Sequence, residues 1–280
     1  MPYVTGRRVF CFSYNCDWRS YALDRAAFLH DNGRMTQEQF AALDTFRNEY
    51  KKMCAQWSAL APQLVPLQKE AAAQDTPPYQ IETPVVYNRA LDAITQADDI
   101  KIIVIGDNPG KDEQLAKNNK YLVGQAGKIA EGFFKKHPSL GIDFRKNAII
   151  LNKTPVHTAK TKHLKFLASR DSRAADLILQ SQEWLAQKTA ELAQGVGAQI
   201  WLVGYAELKA KGIFVPYREK LKEAARAATV YDALFVFQHF SMNRFMIDLR
   251  DFCGGELDEN ALAKKIADLG RQHRDEIFGV

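Results

Sequence analysis

Lys101-Ile-Ile-Val-Ile-Gly-Asp-Asn-Pro-Gly-Lys-Asp-Glu113 is the stretch on which the reading of this chain turns. Its first half is a short, β-branched apolar run, the pattern of a strand buried on both faces of a parallel sheet. Its second half changes character at once. Gly106 lets the backbone turn, Asp107 and Asn108 supply polar groups, and Pro109-Gly110 makes a tight bend. In open α/β sheets ligands meet the chain at the carboxyl ends of strands, so Gly106 to Gly110 is the first place to look for function.

Three more runs of this kind follow: Ala148-Ile-Ile-Leu-Asn152, Gln199-Ile-Trp-Leu-Val-Gly204 and Ala233-Leu-Phe-Val-Phe-Gln238. Helical patterns separate them. Ile129, Phe133 and Phe134 share a face of a helix that ends near His137-Pro138. Leu177, Ile178, Trp184, Leu185 and Leu192 line a long helix over 172–194, closed by Gly195 and Gly197. Shorter helices are expected over 205–211, 217–228 and 241–252, and a last one from Asp258 with Leu262, Ile266 and Leu269 inward. This alternation predicts an α/β fold, a three-layer αβα sandwich on a four-stranded parallel sheet.

The chain before the sheet reads as a helical N-terminal region. Residues 1–34 mix aromatic and basic side chains (Tyr3, Phe10, Phe12, Tyr14, Trp18, Tyr21) and suggest packing, not chemistry. Thr36 and Gln39 are spaced as a capping box, and Phe40, Leu43, Phe46, Tyr50 and Met53 then form a core-facing stripe to about Leu60. Pro77-Pro78 and Pro84 break the chain, and a further helix is expected over 86–96. The expected division is a helical extension over 1–82, packed on a core domain over 83–280.

The 280 residues are 46% hydrophobic, enough for a substantial core, and the net charge of +5 with a pI near 8.9 is compatible with a nucleic-acid or phosphate partner. Cys11, Cys16, Cys54 and Cys253 lack Cys-x-x-Cys spacing, so reduced structural thiols are expected, with neither a metal nor a cofactor. No apolar run reaches the ~20 residues that span a bilayer. Arg7 and Arg8 precede no signal-peptide core, so a cytoplasmic, monomeric protein without a membrane partner is expected. Between Phe144 and Arg170 the chain carries Arg145, Lys146, Lys153, Lys160, Lys162, Lys165, Arg170, His157 and His163 without one carboxylate. That run reads either as a solvated loop or as a phosphate-contacting patch.

Three strand ends thus carry Gly106-Asp-Asn-Pro-Gly110, Asn152 and His239, and together with Tyr121-Leu-Val-Gly-Gln-Ala-Gly127 and His239-Phe-Ser241 they resemble the uracil-DNA glycosylase superfamily. Gly-Asp-Asn-Pro-Gly is similar to the Gly-x-Asn-Pro-Gly of its mismatch-specific and single-strand-selective branches. Tyr121 to Gly127 is similar to the Phe-Val-Gly-x-Ala-Gly of its iron-sulfur branches, and His239-Phe-Ser241 resembles its His-Pro-Ser motif. The resemblance covers about residues 98–250. Phe240 stands in place of the proline, Tyr121 in place of phenylalanine, the cluster cysteines are absent, and the leucine wedge has no clean counterpart, Met242 being nearest.

What the resemblance implies is a base-flipping DNA glycosylase of base-excision repair, acting on uracil or a related deaminated base. Tyr121 would stack on the base and Asn152 would read its O4 and N3-H edge. His239 would donate to O2 of the leaving base, and Asp107 or Asn108 would hold the attacking water. Gly106, Pro109 and Gly110 would shape the substrate pocket, and Lys160, Lys162, Lys165, Ser241, Met242 and Arg244 would contact DNA. The alternatives are a non-catalytic nucleic-acid or nucleobase-binding protein of the same fold, and a small-molecule enzyme whose turn cradles phosphate.

Overall fold

A computed structural model describes residues 33–279, and every structural statement concerns those residues. The aromatic N-terminal stretch, Arg7, Arg8, Cys11 and Cys16 lie outside them. Four parallel strands, β1 (Ile102–Gly106), β2 (Ala148–Asn152), β3 (Gln199–Val203) and β4 (Leu234–Phe237), pair in the order β2-β1-β3-β4. The alternation of side chains across the pleat sends Ile103, Ile105, Ile149, Leu151, Ile200, Leu202, Leu234 and Val236 into one core. Ile102, Val104, Ala148, Ile150, Trp201, Val203, Phe235 and Phe237 enter the other. Burial of one such aliphatic side chain stabilises by ~1.5–3 kcal/mol, more than the whole ~1 kcal/mol span of strand propensity, so two-sided burial decides where these strands lie.

The helices cover both faces. On the first lie α1 (Gln37–Trp57), α2 (Ala61–Ala73), α4 (His163–Arg170), α5 (Ser172–Val196) and α6 (Val215–Ala227). On the second lie α3 (Gln125–Lys136), α7 (Arg244–Phe252) and most of α8 (Leu262–Phe278). This is the expected αβα sandwich with its helical N-terminal region. Thr36 and Gln39 form the capping box at the start of α1, and the stripe below it is core: Phe46 and Tyr50 pack on Trp184 of α5, with ring centroids 6.2 and 5.8 Å apart.

Some local expectations fail for identifiable reasons. Residues 86–96 do not form a helix. Val85 bridges Val156, Val86 N–H bonds to Pro155 O, and Asn88 caps a short 3-10 turn over Arg89–Ala93 while its amide donates to Ile150 O. A second N-terminal helix, α2, follows a 3-10 turn after α1; Pro62 sits in its first turn, where a missing N–H costs nothing, and Pro66 lies inside it. Residues 205–208 are only a 3-10 turn, and α8 starts at Leu262 in place of Asp258. Ser241–Asn243 is a 3-10 turn set off from α7 by left-handed Met242 and Asn243 (φ 52° and 57°).

The strand order reverses between β1 and β3. The connection from β1 to β2 runs one way along the sheet, and the connections from β2 to β3 and from β3 to β4 run the other, on the opposite face. At such a switch point the two crossovers diverge and leave a crevice beyond the strand ends. Gly106-Asp107 and Gly204 are the residues there.

Candidate active site

The end of β1 is packed closely against the side chain that ends β2. A Cβ on Gly106 would collide with Oδ1 of Asn152, the last residue of the neighbouring β2. Asn152 is 2% exposed, and its Nδ2 has no hydrogen-bond partner among the described residues. A buried amide left without an acceptor costs about 1–3 kcal/mol, which makes this strand-end donor a candidate ligand contact.

Asp107 turns toward the sheet. Its Oδ1 lies 2.6 Å from Nζ of Lys153, and Thr161 donates to its Oδ2 at 3.3 Å. Across the switch point Gly204 takes a left-handed conformation (φ 88°), and a Cβ there would collide with the Asp107 carboxylate. Lys153 is fully buried and also donates to Val203 O at 2.6 Å and Gly106 O at 3.3 Å, with its ammonium 5.0 Å from the centre of the Phe214 ring. Burial pushes its pKa down, and Asp107 opposes that shift. Three oxygen acceptors around Nζ call for the ammonium form.

Asn108 is held by its amide nitrogen, which donates to Thr158 Oγ1 at 2.8 Å. No hydrogen bond to its carbonyl oxygen is found among the described residues. Pro109 O accepts from Thr158 N–H and from Nδ1 of His157, a fully buried ring whose pKa burial drives down to about 4. Gly110 leaves open space where a side chain would be. Glu113 closes the long loop that follows: its Oε2 accepts from Gly110 N–H at 3.0 Å and its Oε1 from Leu122 N–H at 2.7 Å, while burial raises its pKa to about 7. Gln114, fully buried, ties the same loop to Gln80, Glu82 and Thr83.

His239 stands just beyond β4. Its Nδ1 accepts from Ser241 N–H at 3.0 Å and lies 2.7 Å from Ser241 Oγ. Because a backbone N–H can only donate, the ring proton of the neutral form belongs on Nε2. Burial lowers the His239 pKa, Lys153 lowers it further and Asp107 opposes both, which favours that neutral form. Phe240, where the motif has proline, is fully buried against Phe144 and Phe245. Beyond it Met242 is 75% exposed, and Arg244 is exposed at the start of α7.

Tyr121 is 1% exposed, and its hydroxyl is bonded to Tyr50 OH at 2.7 Å and to Val86 O, joining the loop to α1. The basic run does not stand alone. Lys160, Lys162 and His163 converge on the single carboxylate of Asp75, which they hold well below the usual carboxylate range, Lys162 most strongly. Lys165 pairs with Glu207 at 3.1 Å. Residues 163–170 are helix α4 and not loop.

Glu113, Thr158, Thr161 and Asp75 take part in this arrangement without having been singled out by the sequence patterns, and Lys153 and His157 figured there only as members of the basic run. Lys153 was the most accessible signal: a lysine directly after a buried strand needs an anion close by, and Asp107 directly follows the neighbouring strand. Among the described residues no group of three or more His, Cys, Asp or Glu could hold a metal ion, and no helix is long and apolar enough to cross a membrane. The free thiols there are Cys54, buried, and Cys253, partly buried. Comparison with known proteins found no matching family model, no matching curated protein and no matching solved structure.

Proposed function

We propose that this chain is a DNA glycosylase that hydrolyses the N-glycosidic bond of uracil or a related deaminated base. The observation that carries the reading is Asn152: a side chain with both a donor and an acceptor, buried at a strand end, its Nδ2 unpartnered and its Oδ1 packed against Gly106 where a Cβ would stand. Such an amide matches the O4 and N3-H edge of uracil, and a base can reach it only when swung out of the stack.

In the proposed reaction the C1′–N bond breaks and its electron pair leaves with the base, so negative charge develops on O2 while positive charge spreads over the sugar. Nε2–H of His239 would donate to O2 without itself losing the proton. Water then adds at C1′, oriented by the carbonyl of Asn108 or by Asp107, and the proton it loses as the new hydroxyl forms passes through solvent to the departed base anion, leaving neutral free base and an abasic sugar. Met242, exposed on a left-handed backbone beside His239, is the candidate to fill the gap left by the flipped base, with Ser241 and Arg244 toward the phosphates. DNA is the expected partner.

A second reading is favoured by one observation. Asp107 is paired to an ammonium, which weakens it as a base, so a non-catalytic nucleobase- or nucleic-acid-binding protein of this fold would tolerate the same geometry. Single-turnover assays on uracil-, hypoxanthine- and xanthine-containing oligonucleotides separate the two. Release of free base, reduced mainly through binding in Asn152→Ala and through the chemical step in His239→Ala, is the expected result. Binding without release would establish the second reading, and no DNA affinity at low salt would exclude both the glycosylase and a nucleic-acid-binding protein.

A further inference from the structure

A fully buried lysine is rare, because taking an ammonium out of water costs several kcal/mol unless an anion and further acceptors compensate it. Lys153 has that compensation, and its partners are informative. Its ammonium reaches Gly106 O at the end of β1, Asp107 Oδ1 one residue further and Val203 O at the end of β3, while its own backbone continues β2 directly from Asn152. One side chain therefore joins the ends of the three strands that surround the switch point. We propose that Lys153 is a positioning residue of this site, whose buried ammonium holds the half-buried Asp107 as its counter-ion and binds the ends of β1, β2 and β3 into one charge-balanced unit beside His239.

The proposal rests on the base-excision reading for its consequence and on geometry for its substance. With Oδ1 on Lys153, Oδ2 within reach of Thr161 and the carboxylate backed against Gly204, both oxygens of Asp107 are engaged within the protein. Asn108 is then the member of the pair whose acceptor oxygen is left for water. The charged groups acting on His239 are Asp107 and Lys153, and those acting on Lys153 are Asp107 and Glu207. Removing either member of the pair exposes His239 to the uncompensated charge of the other. Lys153→Met leaves a carboxylate that draws a proton onto the ring; Asp107→Asn leaves an ammonium that repels it.

The test compares Lys153→Met, Asp107→Asn and the double variant by thermal unfolding, by NMR titration of the His239 imidazole and by single-turnover release of uracil. Each single variant is expected to melt about 10 °C lower, because a buried charge loses its partner, and the double variant to regain at least half of that loss. The His239 pKa is expected to rise in Lys153→Met, to fall in Asp107→Asn and to return toward its original value in the double variant. Uracil release by the double variant should exceed that of Lys153→Met by about tenfold, one decade of recovered barrier. Additive melting losses, or a His239 titration unmoved in both single variants, would overturn the proposal. If Lys153→Met does not fold, Asp107→Asn and the double variant still carry the comparison. A coupled pair with a responsive His239 in a protein that releases no base would support the charge unit and overturn the base-excision reading instead.

Discussion

His157 donates through Nδ1 to the carbonyl oxygen of Pro109 across 2.8 Å, so a buried neutral imidazole holds the turn that follows β1. Tyr79 completes the arrangement by bonding to Nε2 at 2.8 Å. The opposite side of the turn is held by the Glu113 carboxylate. The two groups have opposite linkage to pH. The ring binds a proton at about 6.5 when unfolded and at about 4 when folded, so its contribution is complete above pH 6.5 and is lost as pH falls toward 4. Glu113 is raised from 4.5 to about 7, so its contribution is complete below pH 4.5 and is lost as pH rises through 7. Each effect is on the order of 3 kcal/mol, and between pH 4.5 and 6.5 they oppose one another. Urea unfolding should therefore show stability that rises with pH across this window in Glu113→Gln and falls with pH in His157→Asn. Parallel profiles for both variants and the parent would contradict the assignment.

Gly106→Ala should act on the site more than on the fold. The added methyl meets Asn152 Oδ1, so the Asn152 side chain must move, at a cost of about 1–3 kcal/mol. Urea denaturation should record that modest loss, while affinity for a uracil-containing oligonucleotide should fall by at least as much as in Asn152→Ala. Unchanged affinity would mean that Asn152 does not face the base.

If DNA is the partner, as proposed, Asp75→Asn should strengthen its binding and make it more dependent on salt. Lys160 and Lys162 share the Asp75 carboxylate, and freeing them should steepen the slope of log K against log salt by about one per lysine that then reaches a phosphate. The comparison variant is Lys165→Ala, whose partner Glu207 lies elsewhere. An unchanged slope in Asp75→Asn would show that this patch only solvates the surface.

Met242→Ala should leave stability within about 0.5 kcal/mol, since the side chain is 75% exposed. If it fills the gap left by a flipped base, release from duplex should fall while release from single strands is spared, because only the duplex imposes the unstacking cost. Equal losses on both substrates would remove it from that role.

The sheet was legible because each strand satisfies its requirements locally: a run rich in β-branched, aliphatic and aromatic residues, polar only at an end, followed by a turn signal. Asn152 and His239 could be named because they end such runs. What escaped depends on partners distant in sequence. Residues 86–96 carry helix-like spacing, but Val85, Val86 and Asn88 bond to residues 150–156 and not to one another. The basic run looked unopposed because its counter-ions, Asp75 and Glu207, lie outside it. Lys153 was grouped with those surface cations, although its anion lies 46 residues away and both are drawn into the crevice. Tyr121 could be recognised as aromatic but not as a core residue, because that depends on Tyr50 of α1.

The chain from α2 to β1 supports the site from outside the sheet. Gln68 donates to His157 O, Asp75 gathers two lysines and His163, Tyr79 meets His157, and Glu82 accepts from Ala116 N–H. The crevice is therefore walled in part by residues that come before the sheet in the chain. A polypeptide begun at residue 83 would keep all four strands and still leave His157, the turn at Pro109 and the loop at Gln114 without their outer supports. Cutting the chain between α2 and β1 thus tests the site as directly as a substitution within it.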